Sequence, residues 1–260
     1  MIFDRAAGLD AIPHVRHGFF GREGGVSEGP FASLNVSLRN ADKREHAIEN
    51  RRRVARVFGK AAEDLVIARQ VHGTDCVIVD RPPGLSATVE ADGLVTATAD
   101  LILGVTSADC APVLFADREA RIVGAAHAGW RGALAGITGS TIATMLQVGA
   151  ARERIVAIIG PCIAVASYEV GDELESAFLA DDPANERFFN GHAPARHFDL
   201  RAYLGERLRR EGIADIGHVV LDTYAETERF FSFRRTTHEG GGPFGLQVSA
   251  IAISTSADPD

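Results

Sequence analysis

The sequence predicts an α+β fold, a single domain in which central mixed β-sheets are flanked by helices. Short apolar runs typical of strands outnumber the segments with helical periodicity, and the two kinds do not alternate strictly. Of the 260 residues, 46% are hydrophobic, which is enough for a substantial core. No linker rich in Gly, Ser or Pro and no repeat divides the chain. We therefore expect one domain over residues 1–260.

The N-terminal part of the chain combines a polar loop with one helix. Residues 17–36 are dense in glycine and small polar residues, which indicates a structured loop between short strands. Asp42 and Glu45 have the spacing of a capping box, and Gly59 can end a helix after Phe58. The sequence thus predicts a helix from about Lys43 to Phe58.

Several apolar runs after this helix predict strands. Some are apolar throughout, which is typical of central strands covered on both faces. The runs are 65–68, 76–79, 101–105, 113–115 and 121–125.

The C-terminal half contains two further predicted helices. Apolar residues recur at helical spacing from Leu134 to Val148, and Gly149 can end that helix. Asp199 has the position of a cap for the second helix, which Gly212 can end. The remaining predicted strands are 155–159, 219–221 and 248–253.

Composition excludes several classes of partner. The formal net charge is -8, and Lys plus Arg (27) are outnumbered by Asp plus Glu (35), so no overall field would attract nucleic acid. Arginines at 51–53 and 207–210 are interpreted as solvated helix faces. No apolar run approaches the roughly 20 residues of a membrane helix, and no leader is evident. We expect a cytoplasmic monomer without membrane or nucleic-acid partners. Three cysteines without a short repeated spacing argue against a disulfide framework.

His72, Cys110 and His127 are the candidate metal ligands and catalytic residues. Each lies beside an apolar run, where a strand gives way to a loop, so the three side chains could converge. Zinc favours thiolate and imidazole, and catalytic sites typically use three protein ligands. Two other interpretations stay open. The residues could be plain structural groups, or Cys110 could be a nucleophile with His127 as its base.

The segment after His127 could bind an anion. Gly129 and Gly132 permit a tight turn from strand to helix, and the first amides of that helix would point toward the site. Arg131 adds a cation beside them. The hypothesis is a phosphate seat; the alternative is an ordinary helix start with an exposed arginine.

Two further clusters mix aromatic and charged groups. One comprises residues 22–27 with Asn35, and the other comprises Tyr224 with residues 230–235. They would suit a flat ring with polar edges; the alternative is loop packing with arginine stacked on aromatic rings. The candidate substrate contacts are Arg22, Ser27, Asn35, Tyr224 and Arg234.

The order of motifs along the chain resembles that of the YfiH or laccase-domain family, once called multicopper polyphenol oxidases and now described as purine nucleoside phosphorylases. The His-Ala-Gly-Trp-Arg-Gly motif is the most distinctive of them, and the resemblance spans nearly the whole chain. The matching segments are 24–27, 33–35, 70–73, 91–93, 108–110, 127–132, 160–163, 168–170 and 231–235.

The resemblance implies a YfiH-like fold and a zinc ion held by His72, Cys110 and His127. It also implies phosphorolysis of adenosine, inosine, guanosine and methylthioadenosine, with adenosine deamination as a side activity. A copper oxidase is the weaker expectation, because multicopper sites need many histidine ligands. Asp109 is a candidate proton-transfer or ligand-supporting group, or a turn residue. The alternatives are a metal-free Cys-His hydrolase and a zinc-containing protein that binds or edits nucleosides or peptidoglycan precursors.

The chain departs from the family pattern at two places. Asp222 stands where the family commonly has Cys, and Leu246 stands where it often has Arg. The missing arginine leaves Arg131, Arg22 and Arg234 as the candidate anion contacts.

Overall fold

A computed structural model describes residues 2–84, 89–99, 101–191 and 195–254; Met1 and residues 255–260, the ends of the expected domain, lie outside these ranges. Strands and helices follow one another irregularly, which confirms the α+β class. Within the described ranges the elements are β1 (Phe3–Asp4), α1 (Ala7–Asp10), β2 (Val15–Phe20), α2 (Arg44–Val57), β3 (Leu65–Ile67), β4 (Cys76–Ile78), β5 (Gly93–Thr96), β6 (Ile102–Ser107), β7 (Ala111–Asp117), β8 (Val123–Ala128), α3 (Trp130–Ala135), α4 (Ile137–Gln147), β9 (Ile155–Ile159), α5 (Asp172–Asp181), β10 (Phe189–Asn190), β11 (His197–Phe198), α6 (Leu200–Arg210), β12 (Asp215–His218), α7 (Phe233–His238) and β13 (Gln247–Ile253).

Two large mixed sheets organise the described residues. A five-stranded sheet has the order β1, β2, β13, β6, β3, and only its β3–β6 pair is parallel. A six-stranded sheet has the order β12, β9, β7, β8, β5, β4. Its central pairs are antiparallel, and the pair at each edge is parallel. Mixed sheets were expected, and they are confirmed.

The two sheets pack face to face and carry helices on their outer sides. Leu103 of the five-stranded sheet and Leu114 of the six-stranded sheet belong to one buried cluster between the sheets. The outer face of the six-stranded sheet packs against α4, α5 and α6, so that Phe115 and Tyr203 share a second core. Val54 of α2 packs on the outer face of the five-stranded sheet. Four layers result, because each sheet buries both faces.

Several predicted elements are confirmed in detail. The strand at 155–159 is β9, and β6, β7 and β8 are buried along their whole length. Asp199 caps α6 by accepting a hydrogen bond from the Ala202 amide at 2.8 Å. Gly212 follows that helix with a φ of +82°, the left-handed conformation typical of a helix end.

Three predictions about elements are wrong. The helix from Leu134 to Val148 is two helices, because Gly136 has a φ of +99° and breaks it between α3 and α4. The strand predicted at 219–221 does not form. The chain instead pairs with β9 just before this segment, as β12, whose residues are too polar to have indicated a strand. Lys43 rather than Asp42 precedes α2, and no side chain caps that helix.

Within the described ranges, every helix is too short or too polar to cross a bilayer.

Candidate metal centre and its cavity

Three predicted ligands come together where the two sheets meet. His72 lies in the loop after β3, Cys110 in the turn between β6 and β7, and His127 in β8. One donor atom from each lies within 4.8 Å of the other two. The His72 Nε2 and Cys110 Sγ atoms are 3.9 Å apart, and the two imidazole rings are 4.9 Å apart in an edge-to-face arrangement. His72, Cys110 and His127 form a donor group that could hold a metal ion.

The buried carboxylate of Asp92 joins the His72 loop to β8. It accepts hydrogen bonds from the amides of Val71 and His72 at 3.0 Å and of Gly73 at 2.8 Å. The same carboxylate accepts from His127 Nδ1 at 2.8 Å, so the Nε2 atom of His127 is left for a ligand. A carboxylate behind a ligating histidine fixes the ring and its tautomer, as is usual in metal sites. Asp92 was not among the predicted site residues, although it lies in segment 91–93, one of those that match the family pattern.

Two glycines beside the donor group lie where a larger residue would collide with its neighbours. A Cβ atom at Gly129 would lie 2.9 Å from both Cys110 Sγ and His72 Cδ2, and one at Gly132 would lie 3.0 Å from the Gly73 carbonyl oxygen. The predicted tight turn therefore forms, but its glycines allow two loops to approach rather than supply an unusual φ.

The electrostatics of the donor group favour a thiolate. Burial would raise the pKa of Cys110, but the charge and hydrogen bonds of His127 and His72 outweigh burial and lower it to about 6. Burial would lower the pKa of His127, yet Cys110 and Asp92 raise it to about 9. The donor group therefore favours a Cys110 thiolate beside a His127 imidazolium. A metal cation that binds there would replace the imidazolium proton.

The donor group opens into a cavity of about 790 Å³, a volume typical of small-molecule sites. One wall is apolar and includes Phe233 and Phe244, whose rings lie 5.3 Å apart. Leu246, which replaces an arginine of the family pattern, is also on the wall. The lining residues are Ser37, Leu38, Arg39, Asn40, Ala41, Arg44, Arg51, Ile67, Ala68, Arg69, Gln70, His72, Thr106, Ser107, Ala108, Cys110, His127, Phe233, Pro243, Phe244 and Leu246.

Arginines on the cavity wall were missed by the sequence analysis. Arg51 was expected on a solvated helix face with its neighbours, but it is only 7% exposed. Its Nε atom donates to the Val36 carbonyl at 2.8 Å, and its side chain faces the cavity. The expectation is wrong because Arg51 lies on the inner face of α2, whereas Arg52 lies on the outer face.

Asp109 is buried and is not among the residues that line the cavity. Its carboxylate accepts from the Thr223 hydroxyl at 2.7 Å, from the Ser232 hydroxyl at 2.9 Å and from the Arg234 amide at 2.7 Å. Burial raises the pKa of Asp109 although these bonds oppose the rise. Asp109 thereby anchors the start of α7, the helix that carries Phe233.

The arginines expected to bind an anion do not line the cavity. Arg131 is exposed, pairs with Glu173 at 2.9 Å and stacks on Trp130. Arg22 donates to the carbonyls of Ala32 and Thr227 at 2.8 and 3.1 Å.

Arg234 likewise has partners outside the cavity. It donates to the Glu169 carbonyl and stacks on Tyr168.

The other candidate contacts form loop networks. Ser27 donates to Asp42 at 2.6 Å, and Asn35 donates to the same carboxylate at 2.8 Å. Asn35 also accepts from the Leu246 amide at 3.0 Å and so supports the cavity wall from behind. The Tyr224 hydroxyl lies 2.9 Å from His238 Nδ1. Direct contact of these side chains with a substrate stays a prediction.

Fold and site together define a class: a four-layer α+β protein with two histidines and a cysteine converging at the wall of a cavity. Comparison with known proteins identifies the family. The chain belongs to the family described as multi-copper polyphenol oxidoreductase laccase, whose model matches residues 16–254.

Relatives and solved structures of this kind confirm the YfiH resemblance. A protein of Deinococcus radiodurans named purine nucleoside phosphorylase is 40% identical over 232 residues, covering 89% of this chain and 87% of its own. Purine nucleoside phosphorylase YfiH of Escherichia coli is 36% identical over 219 residues, covering 84% and 88%. The crystal structure of YlmD from Geobacillus stearothermophilus matches with a TM-score of 0.85 at 30% identity, covering 97% and 99%.

Proposed function

We propose that this protein is a zinc-dependent purine nucleoside phosphorylase that acts on adenosine, inosine, guanosine and methylthioadenosine. The observation that carries the proposal is the convergence of His72, Cys110 and His127 on the wall of a cavity that also presents arginine side chains. The names of the relatives support the reaction class.

The donor set fits zinc. One thiolate and two imidazoles are typical zinc ligands, and a set of three leaves a position open toward the cavity. Asp92 supplies the carboxylate that such histidines usually have behind them. A multicopper oxidase needs several copper sites with many histidines, whereas the described residues contain this one His/Cys cluster. We therefore assign His72, Cys110 and His127 to zinc rather than to copper.

We also propose adenosine deamination as a side activity. Bound zinc would supply the Lewis-acid chemistry that this reaction requires near neutral pH.

Phosphorolysis requires the chain's own residues to bind the purine and the phosphate. An oxygen of phosphate forms a bond to the C1′ atom of ribose, the C1′–N9 bond breaks, and its electron pair leaves with the purine, which takes up a proton. Phe233 and Phe244 offer aromatic faces for the flat base. The arginines that line the same cavity supply positive charge for the phosphate. Asp92 keeps His127 oriented throughout.

The direct test is release of hypoxanthine from inosine by zinc-loaded protein. We expect release in phosphate buffer and none in a matched phosphate-free buffer, with ribose 1-phosphate as the second product. Zinc-loaded protein that binds inosine but releases no hypoxanthine would contradict the proposal. That result would favour a zinc-containing protein that binds or edits nucleosides or peptidoglycan precursors.

One observation favours a second candidate, a metal-free Cys-His hydrolase. Cys110, His127 and Asp92 have the order of a nucleophile, a base and an orienting carboxylate, and the lowered pKa of Cys110 suits a nucleophile. His72 has no task in that arrangement, whereas a metal site uses it. Zinc at about one ion per chain, lost in Cys110→Ala and retained in Cys76→Ala, would exclude the hydrolase.

A further inference from the structure

A group of arginines faces the cavity from the wall that α2 and the preceding loop build. The arginine cluster comprises Arg39, Arg44 and Arg51. Arg51 is the buried member, 7% exposed, and only its Nε atom has a hydrogen-bond partner among the described residues, the Val36 carbonyl. The outer members, Arg39 and Arg44, are exposed at the cavity mouth.

The charge of the arginine cluster is not balanced by acidic side chains. In the described part of the chain, none of its members has a carboxylate within 4.0 Å, although their neighbours do. Arg52 and Arg53, on the same helix as Arg51, both pair with Glu49, and Arg69 pairs with Glu90. Arg69 also lines the cavity, so the members of the arginine cluster are the cavity-lining arginines of the described residues that lack a carboxylate partner.

Burial and the neighbouring positive charges lower the pKa values of two members of the arginine cluster. Burial lowers the pKa of Arg51 to about 10, and the charges of Arg39 and Arg44 act in the same direction. Burial and the charge of Arg69 lower the pKa of Arg39, against a smaller opposing effect of Glu90. A buried cation without a counter-charge is costly, and an anion in the cavity would remove that cost.

We propose that the arginine cluster binds the phosphate co-substrate, an inference that rests on the proposed function. Guanidinium groups match the oxygens of a tetrahedral phosphate in pairs, which makes arginine well suited to phosphate. The cluster lines the same cavity as the donor group, so a phosphate bound to the arginines and a nucleoside bound near the donor group would lie in one cavity. Arg131, Arg22 and Arg234 have protein partners outside this cavity.

Isothermal titration calorimetry with inorganic phosphate tests binding to the arginine cluster without turnover. Arg39→Gln and Arg44→Gln change exposed side chains, so both variants are expected to fold. Each should raise the dissociation constant for phosphate about tenfold, the effect of losing one charged hydrogen bond. Arg52→Gln, one residue beyond Arg51 and outside the cavity, is the matched control and should bind phosphate as the wild type does.

Steady-state kinetics give a second readout. The KM for phosphate should rise about tenfold in Arg39→Gln and in Arg44→Gln, while the KM for inosine stays within about twofold because the base and ribose contact other residues. Unchanged phosphate binding in the Arg39→Gln, Arg44→Gln double variant would overturn the proposal.

Two other outcomes separate this inference from the proposed function. Phosphate binding that depends on Arg39 and Arg44 in a protein that releases no hypoxanthine would support the anion site and overturn the phosphorylase. Binding of adenosine 5′-monophosphate could depend on these arginines while binding of inorganic phosphate does not. In that case the arginine cluster binds the phosphate group of a nucleotide, and the proposal of a site for the phosphate co-substrate is overturned.

Discussion

At the scale of single residues, the site depends on two residues that are not among the three candidate ligands. Asp92 holds the His72 loop and the His127 ring with one buried carboxylate. Gly129 leaves the space in which Cys110 and His72 approach each other. Donor atoms must be placed to within a few tenths of an ångström for a metal, so these supporting residues decide whether the ligands can act together.

Gly129→Ala should therefore weaken zinc binding. The added Cβ would lie 2.9 Å from Cys110 Sγ and from His72 Cδ2, so the donor group must spread. We expect a loss of about 10- to 100-fold in zinc affinity, measured by competition with a chromophoric chelator. Gly171→Ala, where a Cβ would meet nothing within 4 Å, is the control. Wild-type affinity in Gly129→Ala would show that the two loops can separate at no cost to the site.

At the scale of elements, turns at the far end of the strands hold the six-stranded sheet in register. Asp117 ends β7, and its buried carboxylate accepts from the amides of Glu119, Ala120 and Ala151 at 2.8 Å and from Arg154 Nε at 3.0 Å. It thereby joins the β7–β8 turn to the start of β9.

The stability contribution of Asp117 should depend on pH. Burial would raise its pKa, but the bonds from Arg154 and the amides lower it from 3.8 to about 2. A depressed pKa in the folded state stabilises the protein above about pH 4, and this contribution is lost as the pH falls toward 2. Asp117→Asn should lower the free energy of unfolding by about 2 kcal/mol at pH 7 and by less at pH 3.

Urea unfolding of Asp117→Asn at pH 7 and pH 3 measures this difference. Asp80→Asn, at an exposed aspartate, is the matched control and should change little. An equal loss at both pH values would mean that the charge of Asp117 does not contribute.

At the scale of the whole molecule, the donor group joins the two sheets. His72 follows β3 of the five-stranded sheet, His127 lies in β8 of the six-stranded sheet, and Cys110 lies in the turn between them. A metal ion held by these residues would link both layers of the sandwich, and the unfolded chain could not bring the ligands together.

Zinc should therefore stabilise the folded protein. At a free zinc concentration a hundredfold above its dissociation constant, the free energy of unfolding should rise by about 2.7 kcal/mol, which corresponds to roughly 5–10 °C in Tm for a domain of this size. Differential scanning calorimetry with zinc and then with excess chelator measures the change, and Cys110→Ala should lose most of it. An unchanged Tm in zinc-loaded wild type would contradict a metal site across the sheets.

Strands could be predicted where they are buried on both faces, because continuous apolar runs such as those of β6 and β9 leave few alternatives. The edge strand β12 was misplaced because it has polar residues and needs only one neighbour. The break at Gly136 was missed because apolar spacing continues through it. Tertiary packing, rather than local pattern, determines these positions.

The sequence by itself determined the fold class, the family and the three residues that could bind a metal, because those depend on residue types and on their order. The tertiary structure alone decided which polar groups meet them. Asp92 lies behind His127, and Arg51 faces the cavity instead of solvent, while Arg131 pairs with Glu173 on the surface. These relations arise because two packed sheets bring together loops that are far apart along the chain, and local sequence carries no record of that proximity.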